Sequence, residues 1–438
     1  MSDLNQPPVN VGDAMYQLAA ELFPICRSIT GNGVRATLAH LQRQIPLITH
    51  EVASGTPVFD WTVPKEWNIR DAYIKNEAGA RVVDFRQSNL HVLNYSVPMN
   101  RTMPLAELKK HLFSLPDKPD WIPYRTSYYK ETWGFCLRHR DLINLPDGNY
   151  EVVIDSSLEP GHLTYGEYLV PGQSEDEVLI SCHTCHPSLA NDNLSGVSLA
   201  VALAQRMKTL PARYSYRFLF IPGTIGAITW LALNKNKAAR IKHGLVLTCV
   251  GDPGPTTYKR SRRGDADIDR ATLYVLKQAG SPFAAIDFYP YGYDERQYCS
   301  PGFNLAIGCL MRSQHGEYAE YHTSADNLDL IQPAFLEDSY NKAAALIDVL
   351  EGNRYYMNQN PYCEPQLGKR GLYDVVDGEV MAMLWTLNFS DGKHSLLDIA
   401  ERAGISFERI HKSAQILAAH DLLKVSGSED SGASRPAV

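Results

Sequence analysis

Cysteine is scarce in this chain: eight in 438 residues, too few for the disulfide frameworks that staple small secreted domains. No apolar run reaches 18 residues, so no segment reads as a bilayer-spanning helix. The opening stretch, MSDLNQPPVNVGDAMYQ, has none of the charged, apolar and small-residue regions of a secretory leader. Basic residues are in deficit, with 42 Lys and Arg against 49 Asp and Glu for a net charge of −7. That balance disfavours a general nucleic-acid binder and a basic membrane-surface protein. Hydrophobic residues make up 44% and charged residues 21%, an ordinary globular composition that excludes disorder, collagen and coiled coil as the main organisation. The expectation is a soluble cytoplasmic protein with reduced thiols, of roughly three structural units at about 150 residues each.

Along the chain, Met15, Leu18, Ala19, Leu22 and Phe23 recur at helical spacing, and residues 12 to 46 read as a helix, a turn carrying Gly31 and Gly33, and a second helix. From about Val52 the texture changes. VFDWTV, ARVVDF, HVLNYSV and NYEVVIDSSL are predicted strands between Pro, Asn and Gly punctuation, a β-rich domain over 51–159 inserted into a larger one. Its Trp121, Tyr124, Tyr128, Tyr129 and Trp133 are either its core or a rim that narrows access to an active site. From Glu177, the strands EVLIS, YRFLFIP, GLVLTCV and FNLAIGCLM alternate with the helices SGVSLAVALAQRMKTL, GAITWLALNKN and AFLEDSYNKAAALIDVLEG. Alternation of that kind predicts an α/β domain with a largely parallel sheet, built from 1–50 and 160–360. Ligands in such sheets sit outside the carboxyl ends of the strands.

Beyond Tyr362, Pro365 and Gly368 mark a linker. The segments EVMAMLWTLNF, SLLDIAERAG and SFERIHKSAQILAAHDLLKV, with Gly404 at a turn, predict a helix-turn-helix or winged-helix module over 370–428. From Arg370 to Val438 there are seven Lys or Arg and ten Asp or Glu, a net of −3. A DNA-binding module is normally basic, so packing or homo-oligomerisation is the favoured role and nucleic acid is not an expected partner.

Chemistry concentrates in two places. Ser181-Cys182-His183-Thr184-Cys185-His186-Pro187 leads into Ser188-Leu189-Ala190-Asn191-Asp192-Asn193-Leu194-Ser195-Gly196, after one predicted strand and before a helix. Two His, two Cys and an Asp crowded into such a loop suit Zn²⁺ or a similar divalent ion. Cys182 to His186 also satisfies the haem-attachment pattern C-x-x-C-H, which the lack of an export signal disfavours. The second place is Tyr321-His322-Thr323-Ser324-Ala325-Asp326, preceded by Gly292-Tyr293-Asp294-Glu295. A third feature, the basic run Tyr258-Lys259-Arg260-Ser261-Arg262-Arg263, is either a solvated loop or a recognition site for carboxylate or phosphate.

The order strand, His, Asp-Asn-x-Ser-Gly, helix, then a late Tyr-His-Thr-x-x-Asp resembles the zinc aminopeptidases of the bacterial leucyl aminopeptidase type, with glutamate carboxypeptidase and the transferrin receptor ectodomain as relatives. Nearly the whole chain is similar to bacterial aminopeptidase-like proteins, which carry an inserted β-rich domain, a Cys-His-Pro loop and a C-terminal winged helix. The resemblance implies metal-dependent hydrolysis of an amide bond in a small peptide or aminoacyl substrate. It makes His183, Asp192 and His322 the metal ligands. His186 is a further ligand or a proton-transfer group, and Asp252 a further candidate ligand. Tyr321, with Arg260, Arg262 and Arg263, is a candidate for holding substrate.

One departure from the family pattern stands out. Two adjacent glutamates, a general base and a metal ligand, are expected after the second of these strands. Here Phe220-Ile221-Pro222 is followed by Gly223-Thr224-Ile225-Gly226, and neither Gly nor Thr can take the proton. Loss of that ligand predicts one Zn²⁺ rather than two. It leaves Glu295, Asp294 and His186 as the candidate proton acceptors. The alternative is a catalytically silent metal-binding or regulatory protein on the same fold.

Overall fold

Strands covered on both faces are largely apolar, and two segments fit: Glu177–His183 and Ser215–Ile221 are buried at every position, their charged members Glu177 and Arg217 paired with each other at 2.6 Å. In the computed structural model, which describes residues 10–373 and 380–426, they are the middle of an eight-stranded sheet. Its members are β1 (Ile48–Ala53), β2 (His162–Val170), β3 (Glu177–His183), β4 (Ser215–Ile221), β5 (Ile241–Leu247), β6 (Thr256–Lys259), β7 (Phe283–Ile286) and β8 (Ile307–Met311), in the spatial order β1-β2-β4-β3-β5-β8-β6-β7. The central run β4-β3-β5-β8 is parallel, while β1, β2 and the β6–β8 pair add antiparallel edges. The helices α1 (Val11–Leu22), α2 (Asn32–Leu41), α3 (Gly196–Thr209), α4 (Ile225–Leu233) and α5 (Asp267–Gln278) accompany the sheet. This is the mixed, largely parallel α/β architecture the strand and helix alternation implied.

The chain divides into two compact units, 1–344 and 345–438. Within the first, a second sheet of four antiparallel strands is ordered Arg81–Asp84, Glu66–Lys75, Asn149–Glu159, Met99–Pro104. One hydrophobic cluster runs from its Trp67, Ile74 and Ile154 to Leu163, Leu179 and Ile221 of the large sheet, which is why the β-rich segment does not separate as a unit of its own. HVLNYSV, expected as a strand, is not one. Asn89–His91 is a 3₁₀ turn, Tyr95 turns the chain at φ 75°, and only isolated bridges from Val92 to Phe135 and Asn94 to Thr126 remain. VFDWTV forms only a small hairpin, Pro57–Val58 against Trp61–Thr62. Tyr258 and Lys259, read as part of a basic loop, belong to β6 and are buried.

The second unit has a three-stranded sheet of Asp391–Ser395, Tyr355–Asn358 and Leu423–Val425, with helices Val380–Phe389, Leu396–Ala403 and Phe407–Ala419. Ser395 starts the middle helix through a capping box with Asp398, and Gly404 ends it at φ 64°, the left-handed geometry that favours glycine. Residues 1–9 of the opening stretch, and 374–379 and 427–428 of the predicted tail module, lie outside the described residues. Among the described residues, no helix is long and apolar enough to cross a membrane.

Candidate metal centre

The site forms where the fold predicts, at the carboxyl end of the central parallel strands. His183 is the last residue of β3, and the buried loop after it returns as the turn Ala190–Ser195 that opens α3. Buried side chains fix that turn. Asp326 accepts from the amides of Asn191 at 2.6 Å and Asp192 at 3.1 Å. Asn191 in turn donates to Asp252 at 2.8 Å and accepts from the Gly251 amide at 2.9 Å. Asn193 caps α3 from its side chain and contacts His183 Nδ1 at 3.2 Å.

Asp192 therefore enters the cluster as a rigid carboxylate, and three imidazoles gather on it. His183 Nε2 lies 2.7 Å from Oδ1, while His322 Nε2 and His186 Nδ1 lie 3.0 and 3.3 Å from Oδ2. The donor atoms of His183, His186 and Asp192 lie within 4.8 Å of one another. One carboxylate with imidazole nitrogens around it is a donor set suited to Zn²⁺ and other borderline divalent ions. The side chains of His183 and Asp192 are sealed off, but that of His322 is 34% exposed, so the cluster opens to solvent on the His322 side.

Electrostatics follow from this enclosure. Burial pushes the His183 imidazolium down to about 3. Burial acts in the same direction on His186, but the neighbouring Asp192 charge outweighs it and raises that imidazole overall. Asp192 is held well below the carboxylate range: burial opposes its charge, and His186, His183 and His322 together more than offset it. Two further carboxyls are pushed up to about 7 by burial, Asp326 behind Asp192 and Asp294 beside β4.

Of the other sequence candidates, Asp294 lies against the glycine-threonine corner, where its Oδ1 accepts from the Thr224 amide at 2.6 Å and its Oδ2 is buried without a partner. Glu295 is placed differently from expectation: its carboxylate is taken by Lys259 at 2.8 Å, both side chains fully buried, and by the Tyr293 amide. Asp252 is likewise committed, to Asn191, the Gly254 amide and Ser313. Arg260 reaches Asp287 and the Gly264 carbonyl, and Arg262 and Arg263 both hold Asn304; none of these contacts reaches the histidines. Tyr321 stacks on His322 with ring centroids 3.9 Å apart. Cys182 and Cys185 are free buried thiols, and burial pushes Cys185 up to about 12.

Two aromatic residues close on the site: Tyr293, which carried no assigned role in the sequence, and Tyr124, one of the aromatics read there as either core or rim. Tyr293 stacks on His183 at 3.5 Å and points its hydroxyl at His186 Nε2, 3.4 Å away. Its ring fills the space a side chain at Gly223 would occupy, since a Cβ there would lie 2.3 Å from the phenol oxygen. Tyr124, from the β-rich segment, packs edge-on against His186 and His322 with ring centroids 5.1 Å away in each case, and donates its amide to the His322 carbonyl. A signal for Tyr293 existed, its place directly before the acidic pair, but spacing alone does not reveal which volume a ring fills.

A family model described as a domain of unknown function (DUF4910) matches residues 16–353, and a winged helix-turn-helix model matches 354–425. A Clostridium acetobutylicum protein, whose name couples polysaccharide biosynthesis with an aminopeptidase-like domain, is 54% identical over 434 residues, covering 97% of this chain and 100% of its own. A crystal structure from the same organism superposes with a TM-score of 0.91 at 55% identity, over 95% of this chain and 96% of that one. At fold level, a Bacillus subtilis zinc aminopeptidase gives a TM-score of 0.56 at 12% identity, over 78% of this chain and 95% of its own. A peptidase M28 precursor from Shewanella amazonensis gives 0.56 at 14%, over 78% and 93%.

Proposed function

This chain belongs to the DUF4910 family and carries a C-terminal winged helix, and we propose from that premise that it is a metal-dependent, aminopeptidase-like hydrolase of an amide bond with one Zn²⁺ as cofactor. The observation that carries the proposal is the convergence of three histidines, from two distant segments, on the single buried carboxylate of Asp192. His183, Asp192 and His322 would hold the ion, and His186 stands beside them as a proton-transfer group. When bound, such an ion polarises a carbonyl and brings the pKa of water to near 7. Asp326, through the Asn191 and Asp192 amides, sets the aim of the Asp192 carboxylate. Tyr293 and Tyr124 wall the cluster and keep water from His183 and His186. Asp294, buried beside the Thr224 amide, and His186 are the groups assigned to hold the proton that the missing glutamate would have taken. A small peptide or aminoacyl compound enters from the exposed His322 edge, past Tyr321.

In this proposal 1–50 and 160–360 form the catalytic domain, 51–159 is the insertion that contributes Tyr124, and 370–428 serves packing or self-association in the cytoplasm. A silent, metal-binding role is the second reading, motivated by the Lys259 ion pair that occupies Glu295 and by the Tyr293 ring at Gly223. Elemental analysis of purified protein and turnover of dipeptides or aminoacyl arylamides separate the two. Near-stoichiometric zinc with turnover abolished by His322→Ala is expected; absence of zinc, manganese and iron would exclude the hydrolase, and metal with no turnover of any amide would favour the silent role.

A further inference from the structure

His315 stands in the loop after β8, in Ser313-Gln314-His315-Gly316, at the same carboxyl end of the sheet as the three histidines on Asp192. Its ring stacks on Tyr293 with centroids 5.6 Å apart and meets Tyr321 edge-on at 6.1 Å. Tyr293 stacks in turn on His183, and Tyr321 on His322. Asp192 joins those two histidines through its two oxygens. His183, Tyr293, His315, Tyr321, His322 and Asp192 therefore form a closed circle of side chains, and His315 is the member farthest along it from Asp192. The circle borders the way in, because the partly exposed His322 belongs to it.

The tautomer of His315 follows from its partner. Nε2 lies 3.1 Å from Thr248 Oγ1, and that hydroxyl donates to Cys249 Sγ at 3.5 Å. A hydroxyl has a single proton, so its oxygen accepts from Nε2–H and the lone pair of the ring lies on Nδ1. Nδ1 has no partner among the described residues and is not sealed from solvent, the ring being half-buried. Burial disfavours the imidazolium; His322 and Lys259 act with it and Asp192 and Glu295 against it, for a net lowering. A neutral ring with an open lone pair is a proton acceptor. Asp294 and His186 are only 1% and 7% exposed, whereas a base acting on an incoming molecule must come within hydrogen-bonding reach of it. We propose that His315 is a further catalytic residue, whose Nδ1 takes a proton from the attacking water and returns it to the departing nitrogen. The water oxygen bonds to the carbonyl carbon, and the C–N bond breaks with its electron pair on nitrogen. That nitrogen gains the proton carried on Nδ1, so His315 ends neutral. This role rests on the hydrolase proposal and adds His315 to Asp294 and His186 in the place left by the missing glutamate.

Diethyl pyrocarbonate, which modifies accessible neutral imidazoles, tests the open nitrogen without any turnover. Peptide mapping of the treated full chain by mass spectrometry should find His315 modified and the sealed His183 intact. An unmodified His315 overturns the proposal. His315→Gln keeps an amide donor for Thr248 and removes the basic nitrogen. The variant should hold as much zinc as the wild type, with KM for a dipeptide or aminoacyl arylamide little changed. Its kcat should fall by about 10²- to 10⁴-fold, and the acid limb of its pH–rate profile should disappear. A raised KM at unchanged kcat makes His315 a binding group and overturns the catalytic role, as does an unaltered acid limb. His315→Asn, with the same expectations, replaces the Gln variant if that one fails to fold. No turnover by the zinc-loaded wild type sinks the hydrolase proposal and this role with it. Turnover that survives intact in the variant sinks this role alone.

Discussion

Replacing Gly223 with Ala places a methyl group against the ring of Tyr293. The added carbon would lie 2.3 Å from the phenol oxygen, 2.6 Å from Cε1 and 2.7 Å from Cζ, far inside van der Waals contact. The ring has little freedom to retreat. It is stacked on His183 at 3.5 Å and on His315 at 5.6 Å, and its backbone amide is held by Glu295, itself clamped by Lys259. Overpacking in such a setting costs about 1–3 kcal/mol. Truncating Tyr293 to Ala on its own removes a buried aromatic, at about 3–5 kcal/mol. In the double variant there is no ring to strike, so the two costs should fall short of their sum by about 1–3 kcal/mol. Urea denaturation of wild type, both singles and the double closes the cycle, with a shifted midpoint and an unchanged slope as the sign of a stability change alone. Costs that add to within about 0.5 kcal/mol would refute the idea that the phenol occupies the place of the missing glutamate.

Asp326→Asn weakens the acceptor that holds the Asn191 and Asp192 amides, and metal affinity measured by chelator competition should fall by about 10- to 100-fold, as for other groups that orient a ligand; equal affinity would show that Asp326 does not position Asp192. The Arg35 hydrogen bonds hold Glu66 at about 2, below its ordinary 4.5. A folded-state value below the unfolded one means a contribution to stability that is present above about pH 4.5 and is lost as pH falls toward 2. Glu66→Gln should therefore flatten the acid limb of a plot of melting temperature against pH, and a limb identical to wild type would count against the pair.

How much of this was legible in the sequence depended on how local each role is. The central strands were legible because burial on both faces writes itself as a largely apolar run, broken only at positions such as Arg217 whose charge is paired inside the sheet. That His183, Asp192 and His322 come together was legible because their types and their order along the chain mark them as one constellation. Glu295 and Asp252 were not, because what a carboxylate does depends on which donor reaches it. Lys259, 36 residues upstream, answers that for Glu295, and Asn191 and Ser313 for Asp252. Tyr293 was missed for the same reason in reverse: the glycine that makes room for it lies on another strand's end. HVLNYSV carried a strand's composition, but the left-handed turn at Tyr95 is a backbone choice that its apolar alternation does not display.

His322 is held by a part of the chain made long before it. Ile122 and Ser324 exchange hydrogen bonds at 2.9 and 2.8 Å, Pro123 bridges Thr323, and the Tyr124 amide bonds the His322 carbonyl at 2.7 Å, fixing His322 at φ 54°. During synthesis, residues 122–124 emerge and then wait for their partners. At about 5–20 residues per second, Asp326 follows Asp192 by roughly 7–27 s. For that interval a nascent chain carries His183, His186 and Asp192 but neither His322 nor the carboxylate that aims Asp192. In the proposed metal centre, loading would thus be a late event in the life of each molecule, timed by the completion of a contact between Ile122–Tyr124 and His322–Ser324.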